Sequence, residues 1–456
     1  MSLTIDTPLP ATVPARAGGW RELTNLAVPV ILTNLSATLM MTVDAAMVGR
    51  LGAAELGGVG YGGIWYWTAL SLFAGTAGGV QTFVAQAHGG GAARTCGVWA
   101  WQGLYAVVPL ALVGMTLFAL AFGPLLGLLS PDAVLQPIAV QYVHARVLGV
   151  GGIAAAMVLS GFFRGLGDTR TPLYATVTSN LVNLVLNYGL VFGHLGMPAL
   201  GVVGSGLATA VAEWVAAIFL LIRLRTAAMD ADFATAPIGP NTAAIVRFLR
   251  TSVPIGGQWM LDMLAFATFS TLVARMGSTA MAASQAMISL MHLSFMQVLG
   301  IAIAVSTLVG RYIGAGDLPA AERSHSTGVY LGVGLSVGAA ALFLSAPQLF
   351  LRIFTDDTAV LTLGAPLLAI GAAFQICDAV GVLSGGALRG AGDTRWPFIV
   401  QTLLAWGVFL PAAYVGGRLL DGGLAGAWTG GVAYVAVLGI ALQWRFRSGA
   451  WKRVRI

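Results

Sequence analysis

Apolar runs of 20 or more residues, each closed by a cluster of glycine, proline or charged residues, follow one another from residue 23 to residue 444. A helix rises about 1.5 Å per residue, so ~20 apolar residues cross ~30 Å of hydrocarbon. On that basis the chain predicts about twelve transmembrane helices, near 23–49, 58–87, 95–122, 136–163, 171–193, 201–223, 247–274, 282–311, 325–349, 360–388, 396–416 and 423–444. One extended polar gap, 225–242, rich in Ala, Asp and Pro, divides these runs into two sets of six. The expected organisation is an N-terminal segment 1–22, a first lobe 23–224, a linker 225–246, a second lobe 247–445 and a basic tail 446–456, with segment, linker and tail on the cytoplasmic side. No basic region precedes a short apolar core within residues 1–19, so the first run is read as a retained span rather than a signal peptide.

The two sets repeat one another. Arg164-Gly165-Leu166-Gly167-Asp168-Thr169-Arg170-Thr171-Pro172 matches Arg389-Gly390-Ala391-Gly392-Asp393-Thr394-Arg395-Trp396-Pro397 at an offset of 225 residues. The same offset relates Pro29 to Pro254, Val48 and Gly52 to Val273 and Gly277, Thr82 to Thr307, and Gly201 to Gly426. Six spans per unit is an even number, so both units insert the same way up. The expected fold is therefore all-α, two six-helix lobes related by a pseudo-two-fold axis along the membrane normal, with the working site between them. The duplicated loop is read first as a packing turn, with flexible glycines and a salt-bridged Asp–Arg pair, and second as part of a gate.

Composition agrees with a lipid-facing surface: 57% of the 456 residues are hydrophobic and 9% are charged, against about 25% charged in a soluble domain. The net charge of +6 raises nucleic acid as a partner, but the basic residues punctuate the apolar runs, which is a topology signal. Of the 23 Lys and Arg, only Arg50, Arg275, Arg352 and Arg418 fall on one face, and Arg146 within a span. The others, from Arg16 and Arg21 to Arg453 and Arg455, fall on the opposite face, which predicts both termini in the cytoplasm of an inner-membrane protein. Trp20, Trp396, Trp444 and Trp451 fall at predicted membrane borders, and His144 and Arg146 near the outer one. Cys96 and Cys377, in different halves, offer neither a disulfide framework nor a zinc spacing. No Walker or dinucleotide pattern is present, so no cofactor is expected.

Four acids fall inside predicted spans: Asp44, Glu213, Asp262 and Asp378. An ionisable group at membrane depth costs at least ~2.5–3.5 kcal/mol, which makes each a functional candidate. Flanking charges place Asp262 and Asp378 near the midplane of the second lobe, and Asp44 in the outer part of the first span. At the 225 offset these three meet Ala37, Ile153 and Phe269. The loops are duplicated and the carboxylates are not, which favours a task over architecture. Two carboxylates brought together in low dielectric repel unless a cation or a shared proton lies between them, and exchanging that ion for a cationic substrate is antiport chemistry. Asn180, Asn183 and Asn187 share one face of the fifth span, either as interhelical glue or as a second polar patch with Asp44. Glu213 and Phe374, the latter one turn before Asp378, are supporting candidates; packing is the alternative for Phe374.

Val43-Asp44-Ala45-Ala46-Met47-Val48-Gly49-Arg50-Leu51-Gly52 resembles the first-helix signature of the MATE (multidrug and toxic compound extrusion) family. Cys377-Asp378-Ala379-Val380 with Leu388-Arg389-Gly390 is similar to the tenth helix of its NorM-like branch, and Pro254-Ile255-Gly256 with Asp262 to the seventh, where that branch usually has Glu. Val305-Ser306-Thr307-Leu308-Val309-Gly310 resembles the end of the eighth. Asn187 and Glu213 share features with the DinF-like branch, and Phe374 stands where NorM-like proteins often have Tyr. The resemblance implies twelve helices, alternating access and export of small cationic, amphipathic compounds in exchange for Na⁺ or H⁺. It implies Asp262 and Asp378 as the second-lobe cation site, with Na⁺ as the metal considered, and Asp44 as the first-lobe acid whose protonation triggers release. Membrane lipid is the surrounding partner, nucleic acid is not expected, and a monomer is. A lipid-linked precursor flippase, a channel and an intramembrane enzyme built on paired carboxylates are the alternatives. The midplane charges are acidic where a flippase for anionic headgroups favours basic ones, and no nucleophile or metal set supports the enzyme.

Overall fold

The computed structural model describes residues 17–129, 134–454 and 456. Residues 1–16, including Arg16, and Arg455 lie outside the described residues. Among those described there is helix and no strand. The first half holds α1 (Trp20–Gly49), α2 (Ala53–Gly89), α3 (Cys96–Leu129), α4 (Leu135–Val147), α5 (Val150–Leu166), α6 (Arg170–Phe192) and α7 (Gly201–Leu224). A short α8 (Ala227–Phe233) lies in the linker. The second half holds α9 (Thr242–Ala274), α10 (Ser278–Gly314), α11 (Leu318–Ser345), the short α12 (Pro347–Leu351), α13 (Thr358–Ala391), α14 (Arg395–Leu404), α15 (Leu410–Tyr414) and α16 (Gly423–Arg447).

By length and apolarity, nine of the described helices can cross a membrane, and α4 with α5, bent by 55° at their junction, makes a tenth span. The helices α2 and α9 complete twelve. Each is long enough, at 37 and 33 residues, but carries a leaner apolar load because much of its surface meets the other lobe rather than lipid. Between Leu70 and Ala85, α2 is almost wholly buried. The result is two six-span lobes, as the repeat implies.

Three elements differ from the sequence reading. The fourth span, expected to be continuous over 136–163, breaks at Leu148-Gly149, where Gly149, Gly151 and Gly152 allow α7 to press against the chain. A Cβ on Gly149 would sit 2.2 Å from the Glu213 carboxylate and 2.7 Å from Ala210. The eleventh span is one 25-residue helix, Arg395–Leu419, but winds as π-helix over Ala405–Phe409 and Val415–Leu419. Part of the linker is helical and docks on α3: Trp101 and Tyr105 donate to the carbonyls of Thr235 (3.1 Å) and Ile238 (2.8 Å), and Gln102 to that of Gly239 (3.0 Å). Asn241 then caps α9 by accepting from the Ala244 N–H, a standard way to satisfy a free helix-end donor.

The duplicated loop resolves into a helix stop. In both copies the second glycine, Gly167 or Gly392, adopts φ of 88° or 82°, a left-handed position that glycine occupies without Cβ strain. Its N–H returns to the carbonyl of Arg164 or Arg389, and the next N–H to Phe163 or Leu388. The aspartates diverge. Asp168 caps α6 through the Arg170 and Thr171 N–H groups and the Thr171 hydroxyl, whereas Asp393 pairs with Arg445 at 2.8 Å. The expected Asp–Arg pair therefore exists in one copy, and with an arginine outside the motif. Trp20 and Trp444 are exposed, as a border position requires, but Trp451 is buried, stacked 5.0 Å from Phe446.

Residues 17–18 and the tail gather at one end of the molecule: Arg323 donates to the Ala17 carbonyl at 3.1 Å, Tyr312 to Glu22 at 2.6 Å, and Lys452 pairs with Glu322 at 2.5 Å. At this end the lobes are locked together by α2 against α9 and α10, and by α1 against α10. Gly75 and Gly256 meet so closely that a Cβ on Gly75 would lie 2.7 Å from the Gly256 Cα. Gln81 donates to the Ile303 carbonyl (2.9 Å) and the Thr307 hydroxyl (3.0 Å), and Gln86 to the Gly390 carbonyl (3.0 Å). Two further bonds are symmetry mates. Thr82 donates to the Arg389 carbonyl at 2.9 Å, and Thr307 to the Arg164 carbonyl at 3.1 Å. Among the described residues, the outermost hydrogen bond between lobes is Asn34 to the Met296 carbonyl, at 3.4 Å; the far half of the interface contributes none.

Candidate functional site

The carboxylates fall into two clusters, one inside each lobe. In the first, α1 delivers Asp44 to the face of α6 that carries Asn183 and Asn187, residues one turn apart, and to Thr209 on α7. Asn187 Nδ2 donates to Asp44 Oδ1 at 2.6 Å and to Asn183 Oδ1 at 2.9 Å. Thr209 Oγ1 lies 3.4 Å from Asp44 Oδ2, and Asn183 Nδ2 donates to Thr209 at 3.2 Å. Asn183 and Asn187 are buried, and Asn187 Oδ1 has no hydrogen-bond partner among the described residues. An orphan amide oxygen beside a carboxylate is an oxygen-rich corner suited to a small hard cation. Asn180, one turn before Asn183, donates to the Ser36 hydroxyl on α1 at 2.7 Å, so all three asparagines of the expected face meet neighbouring helices.

Glu213 lies one turn beyond Thr209 on the same face of α7. It does not reach Asp44; it pairs with Arg146 at 2.8 Å. Arg146, expected at the membrane border, is buried, and its guanidinium stands 4.7 Å from the Tyr66 ring centre. The break between α4 and α5 explains the position. It turns the end of α4 inward, and two of the carbonyls it loosens find donors: Tyr66 Oη approaches the Arg146 carbonyl at 3.4 Å, and Trp214 Nε1 donates to that of Leu148 at 2.9 Å. Non-helical backbone at membrane depth needs such internal partners. His144 contacts the Ala119 carbonyl at 3.0 Å and does not join the cluster.

In the second lobe, Asp262 on α9 accepts a hydrogen bond from Gln401 on α14, which in turn accepts one from Gln258, one turn before Asp262. The Tyr434 side chain of α16 lies within electrostatic reach of both Asp262 and Asp378. Asp378 on α13 lies within electrostatic reach of Asp262 and makes no side-chain hydrogen bond among the described residues. The Arg389 side chain, at the foot of α13, is the nearby positive group. Asp262 on α9 and Asp378 on α13 thus bear electrostatically on one another, with the Gln401 and Gln258 amides beside Asp262. Phe374 packs edge-on to Trp428, ring centres 5.8 Å apart, against the core cluster that holds Phe269 and Phe409.

Sequence reading thus found Asp44, Asp262, Asp378, Asn183 and Asn187 where polar chemistry collects. It missed Thr209, Arg146, Gln258, Gln401 and Tyr434. The two glutamines carried a readable signal, each being a polar side chain within a predicted span, and Gln258 shares a helix face with Asp262. Arg146 was hidden because its burial depends on a helix break that hydropathy does not register. Cys96 and Cys377 are free thiols.

Comparison with known proteins follows the same two halves. The family model MatE matches residues 29–189 and again 254–415, the two matches starting 225 residues apart. The chain is 32% identical to the probable multidrug resistance protein NorM of Geobacillus kaustophilus, over 97% of this chain and 98% of that one. It is 30% identical to the multidrug resistance protein NorM of Vibrio vulnificus, over 94% of this chain and 96% of the relative. Among solved structures, the eukaryotic MATE transporter AtDTX14 superposes with a TM-score of 0.86 at 20% identity, over 95% of this chain and 96% of that one. A structure described as the outward-facing conformation of a multidrug resistance MATE family transporter gives 0.84 at 20% identity, over 95% and 96%. Twin six-span lobes, matched twice by one family model and along nearly their whole length by NorM relatives, place this multi-pass membrane protein in the MATE transporter family.

Proposed function

We propose that this protein is a secondary antiporter that exports small cationic, amphipathic compounds, drugs among them, in exchange for Na⁺ or H⁺ by alternating access. The observation that carries the reading is the pair of unduplicated acidic clusters, Asp44 in one lobe and Asp262 with Asp378 in the other, set in lobes that are sealed against each other at one end only. With both termini in the cytoplasm of an inner-membrane protein, that seal closes the cytoplasmic side and the arrangement is the outward-open state. Cytoplasmic substrate enters between the lobes in the opposite state, drawn by the acids. After rocking, Na⁺ or H⁺ taken up by the carboxylates discharges it, and the inward ion gradient resets the lobes. Asp262 and Asp378, with the Gln258 and Gln401 amides and the Tyr434 hydroxyl, supply the oxygen ligands that Na⁺ prefers. Asp44 with the Asn187 carbonyl oxygen forms the first-lobe counterpart. The protein works as a monomer in lipid and engages no nucleic acid.

The test is efflux of a fluorescent organic cation in everted vesicles, under an imposed Na⁺ gradient and then a pH gradient. Asp378→Asn keeps the side-chain volume and removes the charge. It should abolish ion-driven efflux at unchanged expression, and wild-type efflux from this variant would remove Asp378 from the mechanism.

A further inference from the structure

The first-lobe cluster contains a cation of its own, and the reading of Asp44 as an ion-exchanging carboxylate has to account for it. Arg146 is buried, permanently charged and within electrostatic reach of Asp44. A guanidinium free to approach would satisfy Asp44 bidentately and leave nothing for an incoming ion. The structure has Arg146 paired instead with Glu213 at 2.8 Å and seated against Tyr66. Thr209, which faces Asp44, and Glu213 are four residues apart on α7, so Glu213 leaves that helix about one turn beyond the residue that meets Asp44. The groups that bear electrostatically on Asp44, Arg146 and Glu213 are these three themselves with Tyr66 and Tyr142. Two carboxylates against one arginine leave a single uncompensated negative charge.

The pair is not an obvious stabiliser. The Arg146 Nε and Glu213 Oε2 atoms are buried without hydrogen-bond partners, and a buried ion pair with unmet valences is commonly no better than apolar packing. Gly149 is also required, because any Cβ there would strike the Glu213 carboxylate. The chain thus keeps an expensive arrangement at the break of a membrane helix, next to its first-lobe acid.

We propose that Glu213 is a positioning residue that holds Arg146 away from Asp44, so that Asp44 keeps the negative charge needed to take up one coupling cation. The idea rests on Asp44 being that ion's ligand. It goes further in predicting that the two ends of one ion pair have opposite effects. In Glu213→Gln, Arg146 turns to Asp44 and the first-lobe site loses its ion. In Glu213→Gln combined with Arg146→Met, the competitor is gone and Asp44 recovers it.

The experiment uses full-length protein in lipid nanodiscs, carrying Asp378→Asn so that the second-lobe pair does not dominate. Binding of radioactive Na⁺ alone is measured, with proton uptake on a pH step as a parallel arm. Glu213→Gln should weaken cation binding at least about tenfold, the factor that ~1.4 kcal/mol represents. The double variant should return to within about threefold of the parent, and removing both partners of a buried pair is usually tolerated by the fold; elution as a single sharp peak on size exclusion checks it. Wild-type binding by Glu213→Gln overturns the proposal. So does a well-folded double variant as weak as Glu213→Gln, which is the result a purely structural ion pair gives. Asp44→Asn separates the two levels: if it still binds the ion, the assignment of Asp44 fails, and the positioning role with it.

Discussion

The symmetric hydrogen bonds between lobes give a direct handle on the conformational equilibrium. Thr82 and Thr307 are equivalent positions in the repeat, and each donates to the carbonyl of the equivalent arginine, Arg389 or Arg164, in the opposite lobe. Valine replaces threonine with almost the same shape, so Thr82→Val and Thr307→Val each delete a bond while preserving packing. A neutral hydrogen bond contributes about 1 kcal/mol net. Neither bond survives separation of the lobes, so the loss falls on the sealed state alone. For two sites without shared partners the effects add, giving about 2 kcal/mol and, at 1.36 kcal/mol per decade, a shift of roughly 30-fold towards the state open at that end. Gln81 complicates one half, because it also donates to the Thr307 hydroxyl, so Thr307→Val should exceed Thr82→Val. Spin labels at Arg94 and Ser326, exposed positions in the two lobes, with Cys96 and Cys377 replaced, report the separation by double electron–electron resonance. The double variant should move population to the longer distance, each single variant should move less, and Thr→Ser at either position should restore the parent distribution. A distribution unchanged within twofold in the double variant would refute the view that these bonds hold the seal.

Three further outcomes follow from packing and capping. Gly75→Ala should lower the thermal midpoint, because its Cβ would lie 2.7 Å from the Gly256 Cα and overpacking costs about 1–3 kcal/mol; a thermal-shift assay in detergent checks it, and an unchanged midpoint would mean the lobes separate freely there. Gly392→Ala imposes a left-handed residue with a Cβ at φ 82°, costing about 1–2 kcal/mol; the same assay should show destabilisation, smaller for Gly392→Asn than for Gly392→Ala. Gln401→Leu deprives Asp262 of its hydrogen-bond donor and Gln258 of its acceptor. It should raise the half-saturating ion concentration for efflux several-fold, as loss of one buried polar contact of about 1–3 kcal/mol implies, with less effect on the maximal rate.

Much of the architecture was legible because the bilayer imposes simple rules. Span length, charge asymmetry and an even-numbered repeat were enough to fix twelve helices and two lobes, and every predicted span overlaps a helix. What escaped was local backbone chemistry at membrane depth. The break at Leu148-Gly149 lies inside an apolar run rich in glycine, and the same residues in a continuous helix would read identically. The Gly149 N–H returns to the Arg146 carbonyl, and partners from other helices, the Tyr66 hydroxyl and the Trp214 indole N–H, complete the satisfaction of the break. The π-turns in the eleventh span are invisible for the same reason. Arg146 and the span break were therefore missed together: an arginine near a predicted border reads as interfacial until the backbone turns it inward.

The repeat also separates what both lobes must do from what each does alone. Thr82 and Thr307, Gly165 and Gly390, and Gly167 and Gly392 are duplicated, and in both lobes they perform the same act: a helix stop that offers a carbonyl to the other lobe and packs tightly on its own. Such contacts need two-fold symmetry because they meet across the axis. The charged clusters lie off that axis, inside the lobes, and symmetry places no demand on them. Asp44 stands where the second lobe has Phe269, a buried ring packed on Phe409 and Trp428, while Asp262 stands where the first lobe has Ala37. Each lobe thus keeps its acids at a different register, with an arginine near each cluster drawn from a different helix: Arg146 from the broken span and Arg389 from the duplicated loop. Under the proposed exchange, two lobes that close on identical seams but carry unlike charge clusters respond to ion and substrate separately while moving together, and that division follows from which residues the duplication kept and which it let diverge.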